Sequence, residues 1–163
     1  MHILGLQPKR RTACIIDPGA HDCADWPLLG DADHSWYVRP EARRKLMVSP
    51  ADETDSAPLD AQPEELDVAI AIDRMQQALD IPVGRIEHKW AGLRSFTPDR
   101  GLGIGQGSEA GFFWMVGQGG YGIQTAPAAG RLLASLVNGT APDADVAAAV
   151  PLCDPRRFEG ARA

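Results

Sequence analysis

The sequence predicts a mixed α/β fold. Short β-branched and aromatic runs alternate with one strongly periodic helix, and a late apolar strand opens through glycines into a second helix. Its 163 residues suit a single folding region able to bury about 70% of its unfolded surface. Sixteen Lys and Arg oppose 22 Asp and Glu, a net charge of −6. That balance argues against a nucleic-acid or anionic-membrane face, both of which need clustered positive charge. No apolar run approaches the roughly 20 residues of a membrane span. The basic residues Lys9, Arg10 and Arg11 follow the short apolar start, the reverse of a secretory signal. Cys14, Cys23 and Cys153 are odd in number and form no C-x-x-C, so a disulfide framework is not expected and a reducing, cytoplasmic setting is.

The first strand is expected at Arg11–Ile16, closed by the turn signal Asp17-Pro18-Gly19. Ser35–Val38 and Lys45–Val48 form a loose hairpin on the same reasoning. Residues 52–67 carry seven carboxylates and read as a solvated loop leading into a helix rather than a metal site. That helix is expected over Glu64–Asp80. Pro63 suits its first position, and Glu64, Glu65 and Asp67 complement its dipole. Leu66, Ala69, Ile70, Ile72, Met75 and Leu79 supply an apolar face before Pro82 stops it. In Gly84–Ser95, Ile86, His88 and Trp90 alternate with Arg85, Glu87 and Lys89, the pattern of a half-buried strand. Another strand is expected at Gly111–Val116 and a second helix at about Gln124–Val137, capped by Asn138-Gly139. Thr125 is the candidate N-cap of that helix, with Pro127 in its first turn. Thr140–Ala163, rich in Ala, Pro and Asp, is expected to be only partly ordered.

Nine of the seventeen glycines fall between Gly101 and Gly122. Among them Gly117-Gln-Gly119-Gly-Tyr-Gly122 is a literal G-x-G-x-x-G between a strand and a helix, the pattern of a dinucleotide-binding turn. Its context departs from that reading. No second parallel strand with an acidic end follows the helix, and Gly101-Leu-Gly103-Ile-Gly105-Gln-Gly107 misplaces its third glycine. A strand running through glycines to a helix N-terminus still brings free N–H groups and a positive dipole to one point, which stabilises a phosphate or a delocalised anion such as a reduced flavin.

Several motifs together carry a resemblance. Trp90-Ala-Gly-Leu-Arg94-Ser-Phe-Thr-Pro-Asp99 and Gly111-Phe-Phe-Trp-Met-Val-Gly117 through Gly130-Arg-Leu-Leu resemble the C-terminal part of the flavin-dependent D-amino-acid oxidase superfamily, which includes glycine oxidase, sarcosine oxidase and D-amino-acid dehydrogenases. Leu6-Gln-Pro-Lys-Arg10-Arg-Thr12, Ser35-Trp-Tyr37-Val-Arg-Pro40 and Ser49-Pro-Ala-Asp-Glu53 are most similar to its D-arginine dehydrogenase branch. The resemblance spans about Leu6 to Val137. It implies residues 1–95 as part of a substrate-binding domain with a mixed sheet, 96–140 as the C-terminal strand–helix of a FAD-binding domain, and 141–163 as a tail.

The resemblance also implies site roles. Arg94 would pair with a substrate carboxylate, Tyr37 would donate its hydroxyl to it, and Arg10 or Arg11, by preference Arg10, would add a second cation. Gly117, Gly119, Gly120, Gly122, Ile123 and Gln124 would line a non-covalent FAD ring through backbone groups, with Gly120 and Gln124 also bordering the substrate. No catalytic side chain and no metal ligand is implied, and no cysteine lies near enough to the glycine turn to bond a flavin. The implied activity is oxidation of an amine or D-amino acid to an imine and then a 2-oxo acid. The superfamily's N-terminal Rossmann unit has no counterpart here, so the expectation is a truncated reading frame or one half of a split enzyme completed by a separate FAD-binding half. The alternative is a non-catalytic remnant or interaction domain.

Overall fold

The computed structural model describes residues 4–158. Eight strands and four α-helices follow in order: β1 Gln7–Ile16, β2 Leu29–Gly30, β3 Tyr37–Glu41, β4 Lys45–Ser49, β5 Thr54–Asp55, α1 Glu65–Ala78, β6 Ile86–Phe96, β7 Gly103–Gln106, β8 Phe113–Val116, α2 Gly122–Asn138, α3 Ala144–Ala147 and α4 Val150–Cys153. Strands β1 to β6 form one sheet and β7 with β8 another. The chain divides into two compact units, Lys9–Leu93 and the remainder, the boundary falling within β6 before Arg94. The mixed α/β class stands.

In the Lys9–Leu93 unit the antiparallel registers align buried residues across three strands. Val38 faces Val48, and Val48 faces Cys14. Leu46 pairs with Ile16 on the same face. These side chains pack with Val68, Ala71 and Met75 of α1 and with Trp36 and Ile81. The expected hairpin is therefore real, with its first strand shifted from Ser35–Val38 to Tyr37–Glu41, its second one residue longer, and three residues in a short 3-10 turn joining them.

Helix α1 differs from expectation in start and in face. It begins at Glu65 with Glu64 as its N-cap, so Pro63 precedes the cap instead of occupying the first turn. Its buried stripe is Val68, Ala71 and Met75, and Leu66 is 67% exposed. Asp67 explains the rotation. It turns toward β1 to meet Arg10 at 2.8 Å, and the preceding residue, about 100° behind on the helix, must then face outward. The size of Leu66 misled the pattern, because an ion pair set the helix register.

Strand β6 also departs from its expected half-buried pattern, because its first residues are exposed on both faces. Glu87 meets Lys45 at 2.9 Å and Lys89 meets Glu65 of α1, yet Glu87 and His88 stay exposed, so neither face of this stretch is covered. Ile86 and Trp90 are left 39% and 36% exposed. The seven carboxylates expected to be solvated are instead mostly paired. Asp52 accepts from the Thr12 amide at 2.6 Å, Glu53 meets Arg11, and Asp55 meets Lys9.

In the other unit, Ile104, Ala129, Leu132 and Val146 form a core with Met115 and Leu136 packed against it. The expected loose tail is ordered through Phe158: Val146 is buried, Pro155 packs on Gly105, and Arg157 reaches Asp99 at 2.7 Å. Apolar side chains spaced along α3, α4 and a 3-10 helix at Pro155–Phe158 hold it, a spacing too broken for periodicity to reveal. The last five residues lie outside the described range. Among the described residues no helix is long and apolar enough to cross a membrane.

The rotated face of α1 predicts a contrast. Met75→Ala should cost about 2–4 kcal/mol of unfolding free energy, whereas Leu66→Ala should stay within about 0.5 kcal/mol. Urea unfolding of the two variants checks this.

Candidate functional site

The end of β6 and the glycine turn between β8 and α2 fit each other residue by residue. A Cβ on Gly117 would lie 2.8 Å from Thr97 Cγ2, one on Gly119 2.6 Å from the Phe96 ring, and one on Gly120 2.9 Å from Arg94 Nη1. The Gly119 amide donates to the Ser95 carbonyl at 3.1 Å. Gly117 and Gly119 adopt φ of 78° and 50°, values an L side chain resists. The turn is therefore glycine for two reasons, its backbone conformation and the side chains on which it rests.

Helix α2 opens two residues earlier than expected, at Gly122, with Tyr121 as its N-cap and no side-chain cap. Thr125 is not the cap. Its amide and hydroxyl both donate to the Tyr121 carbonyl, at 3.1 and 2.9 Å, which is the back-bonding a threonine makes inside a helix. The glycine run thus extends into the helix itself. The amides of Gly122, Ile123 and Gln124 have no intrahelical acceptor and meet the dipole's positive end. Ile123 is 96% exposed, so this helix end is open to a ligand.

Arg94 stands beside this turn, half-buried, and among the described residues it has neither ion pair nor hydrogen-bond partner. Most other arginines differ. Arg11, Arg39, Arg44, Arg131 and Arg157 face carboxylates, and Arg74 donates to the Ser35 and Pro50 carbonyls. Arg10 is the most heavily engaged. It pairs with Glu64 and Asp67 of α1, and its Nε lies 3.9 Å from Asp52. These carboxylates raise its pKa against the opposing effect of burial. Arg10 therefore joins β1 to α1, and its guanidinium is already taken by carboxylates of its own chain. Tyr37 begins β3 opposite Gly30 and Ser49, and its hydroxyl has no partner among the described residues. Tyr37 and Arg10 belong to one unit, and Arg94 and the glycine turn to the other.

Sequence reasoning missed Ser95, Phe96 and Thr97 as the bed of the turn, and the latch beyond them. Phe96 carries the Arg100 guanidinium 4.4 Å above its ring. Thr97 Oγ1 donates to the Gly101 carbonyl at 2.6 Å. Asp99 accepts from the Gly101 amide at 2.9 Å and from Arg157, and Arg157 holds its carboxyl well below the usual carboxylate range. The signal was present, because these residues run contiguously from Arg94.

The FAD-dependent oxidoreductase (DAO) family model matches residues 2–136. The chain belongs to that family. Among solved structures it is similar to glycine oxidase from Geobacillus kaustophilus (TM-score 0.73, 20% identity, covering 95% of this chain and 40% of that one). It is similar also to L-proline dehydrogenase from P. horikoshii (0.74, 21%, 96% and 41%). A third is fructosamine oxidase from Aspergillus fumigatus (0.72, 17%, 98% and 42%). This DAO-family chain thus spans about two-fifths of their length.

Two outcomes follow. Gly119→Ala should lose about 1–3 kcal/mol of stability through its collision with Phe96, while Gly130→Ala, which meets nothing within 4 Å, should gain up to about 1 kcal/mol. Denaturant midpoints report both. For Asp99 the folded pKa is depressed, so its contribution is present above the unfolded value of about 3.9 and fades as pH falls through the folded one. The stability gap between the natural chain and Asp99→Asn should therefore narrow on acidification below about pH 4, as followed by thermal unfolding.

Proposed function

We propose that this chain supplies the flavin-ring and substrate-carboxylate end of a FAD-dependent oxidoreductase acting on an amine or D-amino acid. The observation that carries the reading is Arg94, a half-buried guanidinium without a counter-ion beside an uncapped helix start. Family membership supplies the cofactor class, and the names of the similar structures, for glycine, L-proline and a fructosamine, support amino compounds as substrates.

The residues present suit the ring end of FAD. Gly117, Gly119, Gly120 and Gly122 expose backbone with no side chain in the way, and the free amides of Gly122, Ile123 and Gln124 favour anionic character in a bound group. These six residues hold the ring without a covalent bond, and FAD, when bound, supplies the two-electron acceptor. Arg94 grips the substrate carboxylate through two parallel N–H bonds; the hydroxyl donor role of Tyr37 rests on the family resemblance alone. Gly120 and Gln124 border the substrate, Gly120 by leaving room for the Arg94 guanidinium. The fixed carboxylate orients the α C–H for transfer. The substrate gives up that hydrogen with its electron pair and a proton from nitrogen, and the imine formed takes up water to yield a 2-oxo acid and ammonia. Arg10 serves this reading by holding α1 against β1 rather than by touching substrate.

Residues 1–95 are then the substrate-domain part, 96–140 the flavin-domain part and 141–163 the tail. A separate FAD-binding half, from the same polypeptide or a partner, provides the adenosine-diphosphate contacts. Three unpaired thiols support a reducing, cytoplasmic setting.

Titration of the purified chain with FAD, followed by flavin absorbance and fluorescence, tests the reading. Saturation near about 10 µM supports it. Flavin that stays unbound even with a FAD-binding half supplied favours a non-catalytic remnant. In the flavin-loaded protein, Arg94→Gln should lower kcat/KM for a D-amino acid by about 10- to 100-fold through the lost charge-assisted bonds, measured by steady-state turnover.

A further inference from the structure

The loop at residues 97–101, between β6 and β7, is built around one carboxylate. Asp99 accepts from the Gly101 amide two residues on, at 2.9 Å, the local bond an aspartate makes in a turn. The Arg100 amide donates to the Thr97 carbonyl at 3.0 Å, and Arg100 takes a φ of 64°. A residue with a side chain stays in that conformation only where its surroundings hold it.

The loop touches the glycine turn at its start, its middle and its end. The Gly101 carbonyl lies 3.1 Å from the place a Cβ on Gly117 would take. The Arg100 guanidinium covers the Phe96 ring on which Gly119 rests. The Arg100 carbonyl accepts from the hydroxyl of Tyr121, the N-cap residue of α2. Helix α2 therefore starts where this loop ties it.

The loop is gripped in turn from late in the chain. Arg157 Nε and Nη2 donate to the two oxygens of Asp99, at 2.7 and 3.2 Å, the fork that gives an arginine–carboxylate pair its direction. Surface ion pairs usually contribute little, because two long side chains must be ordered to meet. Arg157 is ordered by other contacts. Its Nη1 donates to the Asp154 carbonyl at 3.0 Å, and its guanidinium lies 4.1 Å above the Phe158 ring. Pro155, two residues earlier, is buried against Gly105 of β7. All these residues share one compact unit, and Arg157 lies beyond residue 136, where the family match ends.

We propose that Arg157 is a positioning residue for the glycine turn. Through Asp99 it fixes the loop whose Arg100 carbonyl holds Tyr121, and so sets where the first amides of α2 emerge. The coupling rests on these contacts, and its use in seating a flavin ring rests on the function proposed above.

Amide hydrogen exchange on the full chain, read residue by residue, tests the coupling without flavin. Arg157→Gln should speed exchange of the Gly119 and Thr125 amides, bonded to Ser95 and Tyr121, at least about fivefold. The Leu133 amide in the middle of α2 should stay within about twofold. Tyr121→Phe removes one oxygen and leaves the ion pair, yet it should speed the same two amides. Because both variants break one chain of contacts, the double variant should exchange no more than about twofold faster than the faster single one. Arg157→Lys keeps the charge without the fork and gives a milder form of the pattern should the glutamine variant not fold. Acceleration confined to Ala147 and Cys153 in α3 and α4, acceleration equal along α2, or effects of the two variants that multiply overturns the proposal. FAD titration of the natural chain and Arg157→Gln runs beside it. Where the natural chain binds, binding at least about threefold weaker in the variant supports the proposal and equal binding overturns it. Where the natural chain does not bind, the flavin reading fails and exchange alone decides the coupling.

Discussion

The seating of a glycine turn on the last residues of a strand is the constraint on which the functional end of this molecule depends. Thr97, Phe96 and Arg94 lie under Gly117, Gly119 and Gly120 at distances that exclude a β-carbon. The Ser95 carbonyl takes the Gly119 amide between them. Because the turn cannot move away from the strand, helix α2 must begin where it does, and its uncapped amides emerge beside a guanidinium. Two sources of positive potential, a helix end and an arginine, are brought together by packing and not by any attraction between them.

This constraint explains why the glycine motif misdirects a reader. In a dinucleotide-binding turn the glycines let phosphate approach the backbone. Here the same spacing lets the backbone approach its own strand, and the helix that follows leads into α3 and α4 instead of a parallel strand. The literal motif is thus satisfied by a different physical demand. Strand, turn and helix were all legible, because apolar runs and glycines announce them. What the turn rests on was not, since contact across more than twenty residues leaves no periodic trace.

The same division runs through the rest of the chain. The hairpin of β3 and β4 and the existence of α1 follow from local pattern, and β4 and α1 appear close to their expected bounds while β3 runs three residues later, to Glu41. The face of α1 does not, because the ion pair of Asp67 with Arg10 decides which side is covered. A reading that assigns the interior by hydrophobicity alone turns such a helix the wrong way round. On β6 the pairs of Glu87 with Lys45 and Lys89 with Glu65 hold the charged residues while both faces of its first half stay exposed. Among the proposed site residues, Arg94 and the glycines share the motifs that carry the resemblance, and the structure brings them together. For Arg10 the motif pointed to substrate, and only the helix carboxylates show that its charge is already matched.

The contrast between those two arginines bears most directly on function. A guanidinium withdrawn from water loses hydration that a carboxylate restores. Arg10 recovers it within the fold from Glu64 and Asp67. Arg94 does not recover it, although this chain has six more acidic than basic residues and most of its other arginines found a partner. That asymmetry, a half-buried guanidinium left unmatched in an acidic chain, is what supports the proposed carboxylate-binding role of Arg94. The bare backbone of Gly120 leaves the room that this guanidinium occupies, since any larger residue there would push it aside.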